Sequence, residues 1–291
     1  MNDRPILQPK RLTNDEFMHR ASPFRLFVNG LKGHIGVHWH EFFELAFVLS
    51  GEGRQVLNGN GSPLARGTLF LLTPADIHEL YGVSEAPCLH YNLIFSDEAM
   101  SEELRRLLFM HVNGARVCQI PECEFERIRS EFERIGTELE DIKRIGASLV
   151  VRGAIERLLV ELIRRTGGTA GPGPERVSQQ EDAVRRAIAH MQIHFREPLT
   201  LERAAGIANL SPNYFSRCFR DFTGVTFQRH LQTLRLSFAR SLLAGSALPI
   251  TDICYASGFN TLPHFERAFK SAFGLPPRLY RKGHRKDLPA T

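Results

Sequence analysis

The sequence predicts a mixed fold in two parts: a small N-terminal β-barrel with following helices, then an all-α domain with two helix-turn-helix units joined by a linker helix. Three observations lead there. A stretch of the C-terminal third occurs twice, fifty residues apart: Ser211 aligns with Thr261, Phe215 with Phe265, Arg217 with Arg267, Phe219 with Phe269, Arg220 with Lys270 and Gly224 with Gly274. A repeat at fixed spacing marks one supersecondary unit used twice. Over residues 24–95 the apolar residues come in short runs broken by turns, whereas from Glu122 onward they recur at helical spacing. Charge divides the same way. The chain's net +5 splits into +8 for residues 180–291, with sixteen Lys and Arg against eight Asp and Glu, and −3 for the rest.

At 291 residues, with 43% hydrophobic and 24% charged, the chain can bury two cores, which excludes wholesale disorder. The expected division is a barrel over residues 1–120, a helical segment over 121–166, a linker over 167–179 and a DNA-binding domain over 180–291. A basic C-terminal part beside a mildly acidic N-terminal one calls for a polyanion partner of the first alone. No long apolar run or lipidation signal favours a membrane surface instead. Met1-Asn2-Asp3-Arg4-Pro5 lacks the layout of a secretory signal, so a cytoplasmic location is expected. The five cysteines (Cys88, Cys118, Cys123, Cys218, Cys254) form no Cys-x-x-Cys pair and read as unpaired thiols. A redox couple of Cys118 and Cys123 is the alternative.

In the barrel, Phe43–Ser50, residues 55–57, Thr68–Leu72 and residues 89–95 read as strands. Gly51-Glu52-Gly53 and Asn58-Gly59-Asn60-Gly61 read as the turns between them. So many short strands in about seventy residues suit a small barrel or jelly roll. His38 and His40, one residue apart, point to the same side of a strand, and Glu44 can join them inside the barrel. The spacing His38-x-His40-x3-Glu44-x6-Gly51 resembles the first cupin motif. The second motif matches poorly: Gly67-x6-Pro74-x3-His78 is one residue too long, then one too short.

In cupin enzymes the corresponding histidines and glutamate hold a divalent metal. Here His38, His40, Glu44 and His78 are expected to contact a small-molecule effector, with no metal and no cofactor, because the off-register second motif speaks against a four-ligand shell. The bland alternative is a set of hydrogen-bonded barrel residues.

Phe125, Ile128, Phe132, Ile135 and Leu139, then Ile142, Ile145, Leu149, Ile155, Leu158, Leu159 and Leu162, predict two amphipathic helices that cap the barrel and offer apolar surface to a partner. The Gly- and Pro-rich stretch over residues 166–174 predicts a flexible tether. A helix over residues 181–195 follows, with Ala183, Ile188, Met191 and Phe195 inward.

Each copy of the repeat is expected to be a helix of about three turns, opening on Ser211 or Thr261 and closing on Gly224 or Gly274. In the first, Phe215, Phe219 and Phe222 share the buried side, and Asn213, Ser216, Arg217 and Arg220 the exposed one. In the second, Phe265, Phe269 and Ala272 are inward, while Thr261, Pro263, His264, Glu266, Arg267 and Lys270 are exposed. Such a cationic, hydrogen-bonding face suits entry into a DNA major groove, where arginine reads guanine. Shorter helices over residues 199–207 and 250–257 precede them, across the turns Ala208-Asn209-Leu210 and Gly258-Phe259-Asn260. Between the units, residues 226–243 form one helix, with Phe227, Leu231, Leu234, Phe238 and Leu242 on its apolar stripe.

These elements resemble the AraC/XylS family of bacterial transcription regulators over about residues 181–282. The motifs are Phe215-x-Arg217-x-Phe219-Arg220, Arg235…Ala239…Leu242-Leu243, Ile250-x-x-Ile253…Gly258-Phe259 and Phe265-x-Arg267-x-Phe269-Lys270…Gly274-x-Pro276…Tyr280-Arg281. Two positions depart from the family's pattern: Cys254 replaces alanine, and Pro263 stands where a base-reading residue is common. The resemblance implies a non-enzymatic activator that binds double-stranded DNA, answers to a small-molecule effector of carbohydrate type, self-associates as a homodimer and contacts RNA polymerase. Two other readings are a metal-dependent cupin enzyme fused to a DNA-binding module and a ligand-independent regulator with a structural barrel.

Overall fold

The computed structural model describes residues 10–18, 22–111, 116–167 and 179–284. Of the linker expected over residues 167–179, residues 168–178 lie outside the described residues. The described residues fall into two compact units, one within Arg11–Gly173 and the other built chiefly from Pro174–Thr291. No helix among the described residues is long and apolar enough to cross a membrane.

The first unit runs β1 (Lys10–Leu12), α1 (Asn14–Phe17), β2 (Phe24–Leu31), β3 (His34–His40), β4 (Phe43–Ser50), β5 (Gly53–Leu57), β6 (Asn60–Leu64), β7 (Thr68–Leu72), β8 (His78–Gly82), β9 (Cys88–Phe95), α2 (Glu102–His111), β10 (Val117–Gln119), α3 (Glu122–Glu140) and α4 (Ala147–Thr166). Two five-stranded sheets result, ordered β1-β3-β8-β5-β6 and β10-β7-β4-β9-β2. The predicted jelly-roll class is therefore observed.

Asn58 and Gly59, with φ of 51° and 86°, make the two-residue turn between β5 and β6. Gly51 has a φ of 78°, and a Cβ there would lie 2.5 Å from the carbonyl oxygen of Pro87, so only glycine fits at this corner. Strand β4 is buried along most of its length because both of its faces are covered. Ala46 and Val48 point between the sheets into a cluster with Leu31, Phe70, Leu72 and Leu80. On the other face, Phe47 packs on Phe125 and Phe132 of α3, with ring centroids 5.0 and 5.8 Å away.

Helices α3 and α4 pair through Ile128, Phe132, Ile135, Ile155, Leu158, Leu159 and Leu162, all buried as predicted. The bidentate Arg157–Glu131 contact, 2.8 Å on both arms, ties their outer edges. Ile145 and Leu149 depart from the expected stripe and are exposed. They flank the start of α4, on either side of Gly146, whose left-handed conformation turns the chain there.

The second unit consists of α5 (Gln179–His194), α6 (Leu201–Ile207), α7 (Pro212–Thr223), α8 (Phe227–Gly245), α9 (Ile250–Ala256), α10 (Leu262–Phe273) and α11 (Pro277–His284). Gly224 and Gly274 close α7 and α10 in the left-handed conformation, as the repeat requires. Ser211 and Thr261 occupy the N-cap positions but make no side-chain capping bond. On α8, Leu236, Ala239 and Leu243 join Phe227, Leu231, Phe238 and Leu242 in the core, while Leu234 is only half-buried. In and just after α5, Ala183, Met191 and Phe195 are buried as expected, joined by Val184 and Ala187, while Ile188 is half-buried. The Arg235 guanidinium donates to the carbonyls of Phe195 at 2.7 Å and Glu197 at 2.9 Å, tying the linker helix to the end of the α5 segment.

Candidate functional site

The two repeated helices are anchored by their aromatics. Phe215, Phe219, Phe265 and Phe269 are fully buried. The Phe215 and Phe219 rings lie 5.5 Å apart, and those of Phe265 and Phe269 5.7 Å apart. Phe222 and Ala272 do not join them. Phe222 is exposed, with the Arg185 guanidinium 4.9 Å over its ring, and Ala272, its counterpart in the repeat, is exposed too. Both copies thus bury two turns of the apolar stripe and leave the third at the rim.

On the opposite side, Asn213, Arg217 and Arg220 are exposed and Ser216 is half-buried. In the second copy Thr261, Pro263, His264, Glu266, Arg267 and Lys270 are all exposed. Among the described residues, Arg217, Arg220, Arg267 and Lys270 have no carboxylate partner, whereas Arg186 pairs with Asp182 and Arg203 with Glu197. An unpaired cation on a rigid face is available to a phosphate or a base edge without breaking an ion pair first. The Arg217 guanidinium lies 5.1 Å over the ring of Tyr214, which limits where it can point. His264 meets the edge of Phe259 at 5.5 Å, so its ring is steadied by the turn before α10. Pro263 stands in the first turn of α10, where its missing N–H costs nothing.

A second constellation lies between the sheets of the first unit. His38 and His40 share one face of β3, and the β3–β8 register sets His38 opposite His78. Glu44 comes from β4 in the other sheet and shares the inward face of Ala46 and Val48. His40, Glu44 and His78 each offer a ligand atom, and these atoms all lie within 4.8 Å of one another. The His38 and His78 rings are 4.0 Å apart and the His40 and His78 rings 5.4 Å. All four residues are buried. The off-register second motif therefore does not keep His78 from the first: β3 carries an irregularity between Ile35 and His38 that restores the pairing. Alternation along β3 sets Trp39 on the face opposite His38 and His40.

The proton positions follow from the partners. His38 Nδ1–H donates to the Gly36 carbonyl at 2.8 Å, and His40 Nδ1–H to the Phe42 carbonyl at 2.6 Å. In the neutral ring each Nε2 then carries a lone pair. His40 Nε2 and Glu44 Oε2 are 3.7 Å apart, too far for a hydrogen bond. Burial pushes the Glu44 carboxyl up to about 7, partly offset by a hydrogen bond from Asn92. Burial, then the neighbouring His38 and His40, hold His78 well below the ordinary histidine value, so its ring is neutral.

Two family descriptions match this chain. One, an AraC-like ligand binding domain, covers residues 25–179, and the other, a helix-turn-helix domain, covers residues 204–283. The chain belongs to the AraC family of transcriptional regulators. It is a DNA-binding regulator with a ligand-binding N-terminal domain. The HTH-type transcriptional activator RhaS of Enterobacter sp. (strain 638) is 28% identical over 257 residues, 86% of this chain and 89% of the relative. The protein of the same name from Citrobacter koseri is 29% identical over 253 residues, 84% and 87% of the two chains. Among solved structures, the C-terminal domain of AraT, a response regulator from Geobacillus stearothermophilus, is 38% identical, covers 38% of this chain and 88% of that one, and superposes with a TM-score of 0.35.

Sequence reasoning missed the residues that hold this AraC-family barrel site in place. Asp76 accepts from Thr73 N at 2.7 Å, Thr73 Oγ1 at 2.8 Å, Asn58 Nδ2 at 2.7 Å and the Arg116 guanidinium. Burial alone would raise its carboxyl, but Arg116, Thr73 and Asn58 together hold it below the usual value. This network clamps the loop that delivers His78. Its one sequence signal was the Thr73-Pro74-Ala75-Asp76 turn, whose Asp suits a side-chain-to-backbone bond. Asn92 and Tyr214 carried no local signal.

Proposed function

We propose that this protein is a cytoplasmic transcriptional activator whose two helix-turn-helix units read adjacent major grooves. Its barrel senses a small hydroxylated metabolite of the carbohydrate class and performs no chemistry on it. One observation carries the DNA half: α7 and α10, two copies of one element, are each seated on buried phenylalanines and turn outward cations that have no carboxylate partner among the described residues. Arg217 and Arg220 supply the first reading face, and Asn213 and Ser216 add hydrogen-bonding groups beside them. In the second unit Arg267 and Lys270 lead, with Thr261, His264 and Glu266 alongside. Pro263 offers no donor there, so that unit leans more on phosphate contact.

For the barrel, the supporting observation is a buried polar cluster between the two sheets. His38, His40, Glu44 and His78 are the groups to which hydroxyls of a metabolite would bond. The exposed Ile145, just before α4, and Leu149, in its first turn, support homodimer formation through the helical segment. Activation, named for the RhaS relatives, brings contact with RNA polymerase into the reading.

Footprinting on genomic fragments tests the DNA half. Protection is expected over two major-groove segments about 34 Å apart on one face of the duplex. Affinity should fall steeply with salt as counterions are released. Protection of a single groove, or an affinity indifferent to salt, would refute the paired arrangement. For the barrel, Glu44→Ala should abolish the response to the metabolite and leave operator affinity unchanged.

A further inference from the structure

We propose that Gln55 determines which effector the barrel accepts: its side-chain amide reads two neighbouring hydroxyls of the carbohydrate. The inference rests on the carbohydrate reading of the barrel and adds to it a residue that none of the motifs marks.

Position comes first. On β5, Arg54 is exposed and Val56 half-buried, whereas Gln55 and Leu57 are buried. Alternation therefore sends Gln55 inward with Leu57, which belongs to the apolar cluster between the sheets. Pairing with β8 sets Leu57 opposite His78 and Gln55 opposite Leu80. Gln55 and His78 are thus diagonal neighbours on one face, at the usual spacing of about 7–8 Å. In the other sheet, Asn92 of β9 pairs with Ala46 of β4 and shares its inward face.

Hydrogen bonding supplies the second argument. Gln55 is fully buried, yet neither its amide oxygen nor its amide nitrogen has a partner among the described residues. The same holds for both ring nitrogens of His78 and for the side-chain oxygen of Asn92, whose side chain also bonds to Glu44. A buried donor or acceptor left unmet is destabilising, and native interiors hold few of them. A methionine or leucine at position 55 would extend the apolar cluster without that penalty. The amide therefore serves something other than the stability of the barrel.

The chemistry of the ligand follows from the amide. It sets an acceptor oxygen and a donor NH2 side by side. One hydroxyl that donates to the oxygen and a second that accepts from the nitrogen satisfy both, and adjacent ring hydroxyls of a sugar present that pair. A deoxy sugar lacking either one strands half of the amide, which is how a buried polar site rejects an analogue. His78 and Asn92 take hydroxyls farther along the ring.

The test uses the full-length chain and thermal melts followed by the fluorescence of Trp39, which is buried on β3. Aldopentoses, aldohexoses and their monodeoxy forms are added one at a time. The expected result is a raised melting temperature with one sugar, and binding about tenfold or more weaker when either of two neighbouring hydroxyls is missing. Gln55→Met, unbranched and of similar length, should melt at least as high as the unmodified chain without sugar. It should also no longer distinguish the sugar from those two deoxy forms. Gln55→Leu is the second variant, should the methionine chain fail to fold. A marked fall in the melting temperature of both variants overturns the proposal, because the amide is then a structural group. Discrimination that survives in a folded variant overturns it too. A sugar response that tolerates the loss of each hydroxyl in turn overturns it and leaves the carbohydrate reading standing, whereas a chain that responds to no sugar overturns both.

Discussion

Replacing Phe219 by alanine should destabilise one unit of the chain and spare the other. The ring is fully buried on α7 and packs on Phe215 at 5.5 Å, Phe227 at 6.1 Å and His230 at 5.5 Å between centroids. Removing a phenylalanine from such a site costs about 3–5 kcal/mol, lost contacts and residual cavity together. Against a typical domain stability of about 5–15 kcal/mol, that is a large fraction. Urea slopes for domains of this size are about 2 kcal/mol per molar, so the unfolding midpoint should fall by roughly 2 M. The chain contains a single tryptophan, Trp39, and it is buried in the barrel. Its fluorescence therefore reports the first unit, whereas far-UV circular dichroism also follows the helices of the second. The Phe219→Ala chain should show an early loss of helical signal and an unmoved fluorescence transition. A shift of both transitions together would refute the assignment of separate cores. A shift of neither would refute the buried placement of Phe219.

Arg217→Ala, at an exposed position, should change stability by no more than about 0.5 kcal/mol. It should weaken operator binding by about 1–3 kcal/mol and relax the preference at one base pair, as read by competition binding to single-substituted duplexes. Arg267→Ala should cost less specificity and leave a shallower salt slope, because phosphate contact dominates beside Pro263. Asp76→Ala strands the Arg116 guanidinium and frees the loop before His78, so the Trp39 transition should fall by the equivalent of about 3–5 kcal/mol. Burial pushes the Cys118 thiol up to about 11, whereas Cys123 is exposed. Maleimide labelling at pH 8, mapped by mass spectrometry, should therefore modify Cys123 well before Cys118. Equal rates would reopen the reading of the two as a redox couple.

What the sequence determined by itself is whatever contiguous residues encode. The helices α7 and α10 were legible because the fifty-residue repeat, the apolar spacing and the closing glycines all act within a few turns of one helix. The turn at Asn58-Gly59 was legible for the same reason, its two positive φ values being demanded by those residue types. The pairing of His38 with His40 followed from strand alternation alone. Tertiary structure decided everything that depends on which distant segments meet. The off-register second motif spoke only against a four-ligand shell, and the pairing of β3 with β8 is what sets His78 opposite His38. Glu44 reaches the histidines only because the sheets face each other. The helical stripe marked Phe222, Ala272, Ile145 and Leu149 as inward, but periodicity gives a direction and not the extent of the surface waiting there, and all four ended exposed. A helix knows its own face, while the length of that face that becomes core is set by the neighbours that cover it.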